Sequence, residues 1–118
     1  MALSRGDVVL VKFPFTSGSG AKLRPALVVQ PEKNNQRLTN VILVPLTTTT
    51  HRRGEPTQYV IEPQSSVGQS AGVRHTSVVT CENIMTVSQS LVSRRLGSVG
   101  GAAMAEIDSC LKAALGLV

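Results

Sequence analysis

Apolar and β-branched residues along this chain fall into short runs divided by clusters of Gly, Ser, Asn, Thr and Pro. Asp7 to Pro14 (DVVLVKFP) is the first run, and Ala26 to Gln30 (ALVVQ), after an Arg-Pro pair, is the second. Asn40 to Thr47 (NVILVPLT) is the third, and Pro45 within it predicts a bulge or an edge position, because proline lacks the N–H of a central ladder. Thr57 to Glu62 (TQYVIE) is a fourth run, with Thr57, Tyr59 and Ile61 on one face, and Ser77 to Val87 (SVVTCENIMTV) is a fifth. Short strands at this spacing predict a mostly β fold, a small barrel or rolled sheet. From Ala102 the period changes. Ile107, Leu111, Ala114, Leu115 and Val118 recur at steps of three and four, predicting a C-terminal amphipathic helix. A weaker helical signal falls on Ser88 to Arg94.

Three connections are long and polar: Thr16 to Leu23, Thr48 to Pro56 and Pro63 to Gly72. In a small domain such loops are often where function sits. At 118 residues the chain is expected to form one domain, 1–118, and 42% hydrophobic residues give it a core to bury. No apolar run reaches the ~18 residues of a membrane span. Asp7 and Lys12 bound too short an apolar stretch for a signal peptide. Cys81 and Cys110 make a poor disulfide framework, and with two histidines they cannot build a zinc site. A reduced cytoplasmic protein without metal or cofactor is the expectation.

Charge sharpens the picture through its placement. The net charge is +5, but Lys12, Lys22, Arg24, Lys33, Arg37, Arg52 and Arg53 face a single acid, Glu32, between Val8 and Gly54. That segment predicts an acidic partner such as nucleic acid. Aromatics are limited to Phe13, Phe15 and Tyr59, so RNA would be held by charge, hydroxyls and backbone groups instead of an extended stacking platform.

Arg24 precedes Pro25, which favours extended backbone and puts the guanidinium at the mouth of the second strand, beside Lys22. There it could grip phosphate oxygens in a bidentate fork or stay solvated. The run Thr47, Thr48, Thr49, Thr50, His51, Arg52, Arg53 offers hydroxyl donors, a group titrating near neutrality and two more cations, or else a solvated loop. His75 follows Arg74 in a polar loop leading to the fifth strand, whose one carboxylate, Glu82, is either a general base or an outward-facing strand residue. Ser17 and Ser19 lack the surroundings of a nucleophilic serine, and no glycine loop feeds a helix in the manner of a nucleotide site.

Four motifs in order then resemble one family. Arg5-Gly6-Asp7-Val8-Val9-Leu10-Val11, Leu23-Arg24-Pro25-Ala26-Leu27-Val28-Val29, Val44-Pro45-Leu46-Thr47, and Ala71-Gly72-Val73 with Ser77 to Val87 resemble the MazF/PemK (Kid) toxins of type II toxin–antitoxin systems. The resemblance covers nearly the whole chain. It implies an SH3-like barrel of five to seven strands with a C-terminal helix, acting as a homodimer. It also implies a metal-independent endoribonuclease for single-stranded RNA, in which the 2′-hydroxyl attacks the adjacent phosphorus to leave 2′,3′-cyclic phosphate and 5′-hydroxyl ends. The implied partner is a cognate antitoxin with an acidic disordered tail. Arg24 and Thr47 match the family's arginine and threonine and take their roles at the phosphate, with Glu82 as the third catalytic candidate. Ser19, Lys22, Thr48, His51, Arg52, Arg53 and Thr80 are the expected RNA contacts.

The chain departs from that pattern in two places. Its first loop reads Gly18-Ser19-Gly20-Ala21, without the ionisable group of a Gly-x-Glu-Gln-like stretch, and its fifth strand reads Thr80-Cys81-Glu82 where some relatives have Arg-Cys-Asp. Acid and base therefore stay open among Glu82, His51 and Arg24. A non-catalytic barrel of the same fold is the rival reading, binding a protein target such as a topoisomerase, or binding RNA without cutting it. Topoisomerase poisons of this fold use a Trp-containing tail, whereas this chain has no Trp and closes on Leu115-Gly116-Leu117-Val118.

Overall fold

A computed structural model describes residues 2–13 and 22–117. The elements are β1 (Asp7–Phe13), β2 (Lys22–Val28), α1 (Glu32–Arg37), β3 (Asn40–Thr47), β4 (Gln58–Ile61), α2 (Ser66–Ala71), β5 (Ser77–Thr80), β6 (Met85–Ser88), β7 (Val92–Ser98) and α3 (Gly101–Leu115). The strands form one antiparallel sheet in the order β4-β5-β3-β2-β1-β7, with β6 also on β3. The two end strands do not pair, so the sheet is barrel-like and open.

The central strands are apolar in unbroken runs because both of their faces are covered. Val8 lies opposite Leu27, and Leu27 opposite Val44, in a row that meets Met104 and Ile107 of α3 in one core. The alternate residues Val9, Val11 and Phe13 join Ala26, Val28, Leu43 and Val87 in a second core that also buries Leu3. Two-sided burial suppresses the in-out alternation of a half-exposed strand.

Pro45 is neither bulged nor on an outer edge. It marks a fork in β3. Asn40 to Leu43 pair with β6, whereas Leu46 and Thr47 pair with β5 on the same side. Proline's missing N–H falls near the changeover, and its carbonyl accepts a bond from Thr80 Oγ1 at 2.8 Å. The expected fifth strand is accordingly two strands, broken by a turn in which Asn83 N–H donates to the Thr80 carbonyl at 3.0 Å.

Other boundaries move as well. The second strand begins four residues earlier than its apolar run, at Lys22, and the fourth spans Gln58–Ile61. The weak helical signal at Ser88 to Arg94 resolves into one 3-10 turn, Gln89–Leu91, followed by β7. Two short helices lie where none was predicted. In α2 the Ser65 hydroxyl accepts from Gly68 N–H at 3.0 Å, and Gly72 closes the helix in the left-handed region at φ 76°. Gly97 lets that helix lie on β7, since a Cβ there would stand 2.2 Å from the Ser70 carbonyl oxygen. In α1, Asn35 turns inward and donates to the Leu3 carbonyl at 3.1 Å, pinning the N-terminal residues. The C-terminal helix forms as expected, burying Ala103, Met104, Ile107 and Cys110 and leaving Leu115 exposed. Val118 lies outside the described residues.

Candidate functional site

The start of β2, the end of β3 and the turn between β5 and β6 converge on one side of the sheet. Lys22, Leu23, Arg24 and Pro25 face Leu46, Thr47, Thr48 and Ser77 across an open cleft of ≈ 330 Å³. A second cleft of ≈ 290 Å³ runs on from it past Thr49, His51, Arg52, Gln58, Thr80, Glu82 and Asn83. Arg24, Leu46 and Thr47 line both, so the two form one groove with Arg24 and Thr47 at its middle.

The sequence explains this placement. Pro25 keeps the Arg24 backbone extended, and Arg24 lies opposite Val11 in the β1 ladder with its side chain exposed. Thr47 ends β3, and its Oγ1 accepts the Thr49 N–H at 3.1 Å. That local bond fixes the hydroxyl oxygen and leaves its proton free to donate into the groove.

Four cations were expected to line one groove, and the structure divides them. Lys22 and Arg24 have no carboxylate partner among the described residues, whereas Arg52 pairs with Glu55 at 2.8 Å and with Glu82 at 3.2 Å. Arg53 lies off the groove and pairs with Glu62 at 3.5 Å. Thr48 and His51 are exposed on the groove wall. Thr80 is 4% exposed and its one proton goes to Pro45, so as a donor it is committed to the fold. Ser19, like Ser17, lies outside the described residues. His75 and Arg74 line a neighbouring cavity with Leu10 and Leu96, which meets the groove at Pro25, Thr48 and Ser77.

Glu82 is the groove's carboxylate. Burial works to raise its pKa, but Gln58, its own backbone N–H, the Thr57 hydroxyl and the charge on Arg52 together hold it below the ordinary carboxylate value. Gln58 Nε2 donates to Glu82 Oε2 at 2.7 Å, the same oxygen that Arg52 reaches at 3.2 Å. The hydrogen bond and charge of Arg52 likewise lower the Glu55 pKa. Gln58 and Asn83 were not among the predicted contacts. The alternation that turns Thr57, Tyr59 and Ile61 one way turns Gln58 the other, and that signal was present in the sequence. No three His, Cys, Asp or Glu side chains converge as a metal site among the described residues.

Comparison with known proteins agrees with the fold. The family model for PemK-like, MazF-like toxins of type II toxin–antitoxin systems matches residues 4–115. The chain is 35% identical over 100 residues to Endoribonuclease MazF1 of Mycobacterium bovis, covering 85% of this chain and 84% of that protein. A solved endoribonuclease from a mycobacterial species superposes with TM-score 0.77 at 30% identity, over 99% of this chain and 94% of that one. A mycobacterial endoribonuclease in complex with its cognate antitoxin superposes with TM-score 0.77 at 32% identity, over 99% of this chain and 98% of the other.

Proposed function

The chain belongs to the PemK-like, MazF-like toxins of type II toxin–antitoxin systems, and on that premise we propose that it is an endoribonuclease that cuts single-stranded RNA at short sequences. The observation that carries this reading is the pairing of Arg24, which has no carboxylate partner among the described residues, with the Thr47 hydroxyl in the middle of the groove. One RNA phosphate fits between them. The guanidinium fork holds its non-bridging oxygens, and the threonine proton adds a neutral donor.

Cleavage then needs no external nucleophile. The 2′-hydroxyl oxygen forms a bond to phosphorus as the bond from phosphorus to the 5′-oxygen breaks. A base takes the 2′-hydroxyl proton and an acid returns one to the leaving oxygen. Negative charge grows on the non-bridging oxygens in the transition state, where Arg24 and Thr47 stabilise it most. Glu82 is ionised at neutral pH but already accepts from Gln58 and Arg52, which makes it a weak proton acceptor. His51, exposed on the same wall, takes the proton-transfer role in this reading, and Glu82 holds the wall together. Lys22 and Thr48 extend the phosphate track along β2 and the loop after β3.

The protein works in the cytoplasm as a homodimer, and none of its described helices is long and apolar enough to cross a membrane. β1 is covered within one protomer, so the case for pairing rests on the exposed Leu23, Leu115 and Leu117. A cognate antitoxin with an acidic, disordered tail covers the cations of the groove and orders as it binds. Purified protein incubated with a long RNA in excess EDTA is expected to yield fragments ending in 2′,3′-cyclic phosphate and beginning with 5′-hydroxyl. RNA left intact, or efficient cutting next to a 2′-deoxy sugar, overturns this reading.

A further inference from the structure

The Lys22 half of the groove adjoins a cavity of ≈ 520 Å³ that cleavage at Arg24 leaves unused. The two share Pro25, Thr48 and Ser77, whereas the cavity has no lining residue in common with the Glu82 half. Its floor is a row across three strands, in which Pro25 of β2 lies opposite Leu10 of β1 and Leu10 lies opposite Arg94 of β7. The β1–β7 ladder shifts register just before Val9 and just after Leu10, an irregularity that re-aims strand side chains. Arg94 and Leu96 both line the cavity, while Arg95 between them is taken up by Asp7 at 3.0 Å and the Ala2 carbonyl at 2.8 Å. The facing wall is the turn after α2. A Cβ on Gly72 would stand 2.4 Å from the Leu96 carbonyl oxygen, so only glycine lets the chain run this close to β7. The Ser77 hydroxyl donates to the His75 carbonyl at 2.8 Å and holds that turn, with Val73, Arg74 and His75 on the cavity.

Arg74 and Arg94 are exposed, neither forms an ion pair among the described residues, and no carboxylate lines the cavity. An apolar floor beneath two guanidinium groups and an imidazole suits a ligand that joins an anion to a flat apolar ring. The guanidinium edge takes phosphate oxygens, and its face and the imidazole ring stack on bases. A nucleotide is such a ligand, and the cavity lies within the usual size of a ligand pocket, roughly 300–1,000 Å³. Charge also decides which way a strand leaves the groove. On one side of Arg24 stand Glu82 and, paired to Arg52, Glu55. On the other stand Lys22, Arg74 and Arg94 with no carboxylate between them. A polyanion held at Arg24 therefore runs past Thr48 into the cavity.

We propose that Arg74 and Arg94 form a second phosphate site, outside the cleavage groove, that holds a nucleotide flanking the scissile one and sets the length of RNA the protein grips. The site rests on the endoribonuclease reading for the strand it continues, but it can be measured without cleavage. RNAs of one sequence with 2′-fluoro sugars, which lack the attacking hydroxyl, are lengthened stepwise from either end and titrated against the full chain at several salt concentrations. Affinity is expected to step up once one end reaches the cavity, and the slope of log K against log salt to steepen by about 0.7 to 1 for each added phosphate contact. Arg74→Ala with Arg94→Ala should remove the step and the added slope, so that the loss falls on the longer RNAs. Lys33→Ala with Arg37→Ala removes the same charge from the exposed face of α1 and should keep the step. No step at any length, or a step that the Arg74 and Arg94 double variant retains, overturns the proposal. An oligoglutamate peptide whose binding needs both arginines, where no RNA length does, also overturns it and assigns the cavity to an acidic protein segment. A step without cut ends in the long-RNA experiment keeps the site and removes the nuclease, whereas cut ends without a step do the reverse.

Discussion

Thr80 and Pro45 are tied by a 2.8 Å hydrogen bond across the point where β3 passes from β6 to β5. Thr47 stands two residues beyond that point, so the bond helps to set the threonine at the middle of the groove. Thr80→Val preserves the shape of the side chain but leaves the carbonyl unpaired, and the expected loss is about 1–3 kcal/mol. Denaturant unfolding should show that loss for valine and much less for Thr80→Ser. A valine variant of unchanged stability with weakened RNA binding would return Thr80 to the substrate contacts.

Arg24→Ala is expected to lower the cleavage rate on the order of 100- to 1000-fold, the effect of losing one preorganised transition-state donor. The melting temperature should hardly move, because the side chain is exposed and has no carboxylate partner among the described residues. Arg24→Lys should recover little, since an ammonium cannot reproduce the planar fork. Single-turnover cleavage beside a thermal melt checks both halves.

Salt dependence distinguishes the cations that track phosphate from those held in ion pairs. Lys22 faces the groove without a carboxylate partner among the described residues, so Lys22→Ala should reduce the slope of log K against log salt by about 1. Arg53 lies beside Glu62 and off the groove, and Arg53→Ala should leave the slope unchanged. Equal slopes for the two variants would show that the loop from Thr48 to Pro56 swings onto RNA.

Cys81 provides a pH test. Burial first, then the neighbouring Cys110 and carboxylates, push its pKa up to about 12. The unfolded thiol ionises near its ordinary value, about 8.5, so the unfolded state releases its proton first. Stability is therefore complete below that ordinary value and falls as pH rises from there towards 12. Cys81→Ala should flatten the alkaline limb of a stability-against-pH curve. The native thiol should also resist alkylation until the chain unfolds.

The strands of the central sheet were legible because their apolar runs are long and both faces are buried, as the Val8-Leu27-Val44 row shows. The helix from Gly101 was legible because Ile107, Leu111 and Ala114 recur at helical spacing and pack on one core, which Leu115 does not join. The short elements were not. Glu32 to Arg37 is polar and helical through tertiary bonds such as Asn35 to Leu3, and Val92 to Ser98 carries two arginines inside a strand held by β1. The strand-end positions of Arg24 and Thr47, which bring both to one groove, were readable from Pro25 and from the end of the third apolar run. Glu82's ties to Gln58 and Arg52 depend on a turn within an apparently continuous run, and pattern alone does not disclose it.

The ladder between β1 and β7 sets Asp7 opposite Ser98. A chain emerging from the ribosome completes its first strand early and must wait for almost all of the rest before that strand has both neighbours. Pairing over such a separation in sequence is also slow once the segments are free. The groove takes one wall from β2, the direct neighbour of β1, so its geometry is held firmly only after β7 has closed the other side of that first strand.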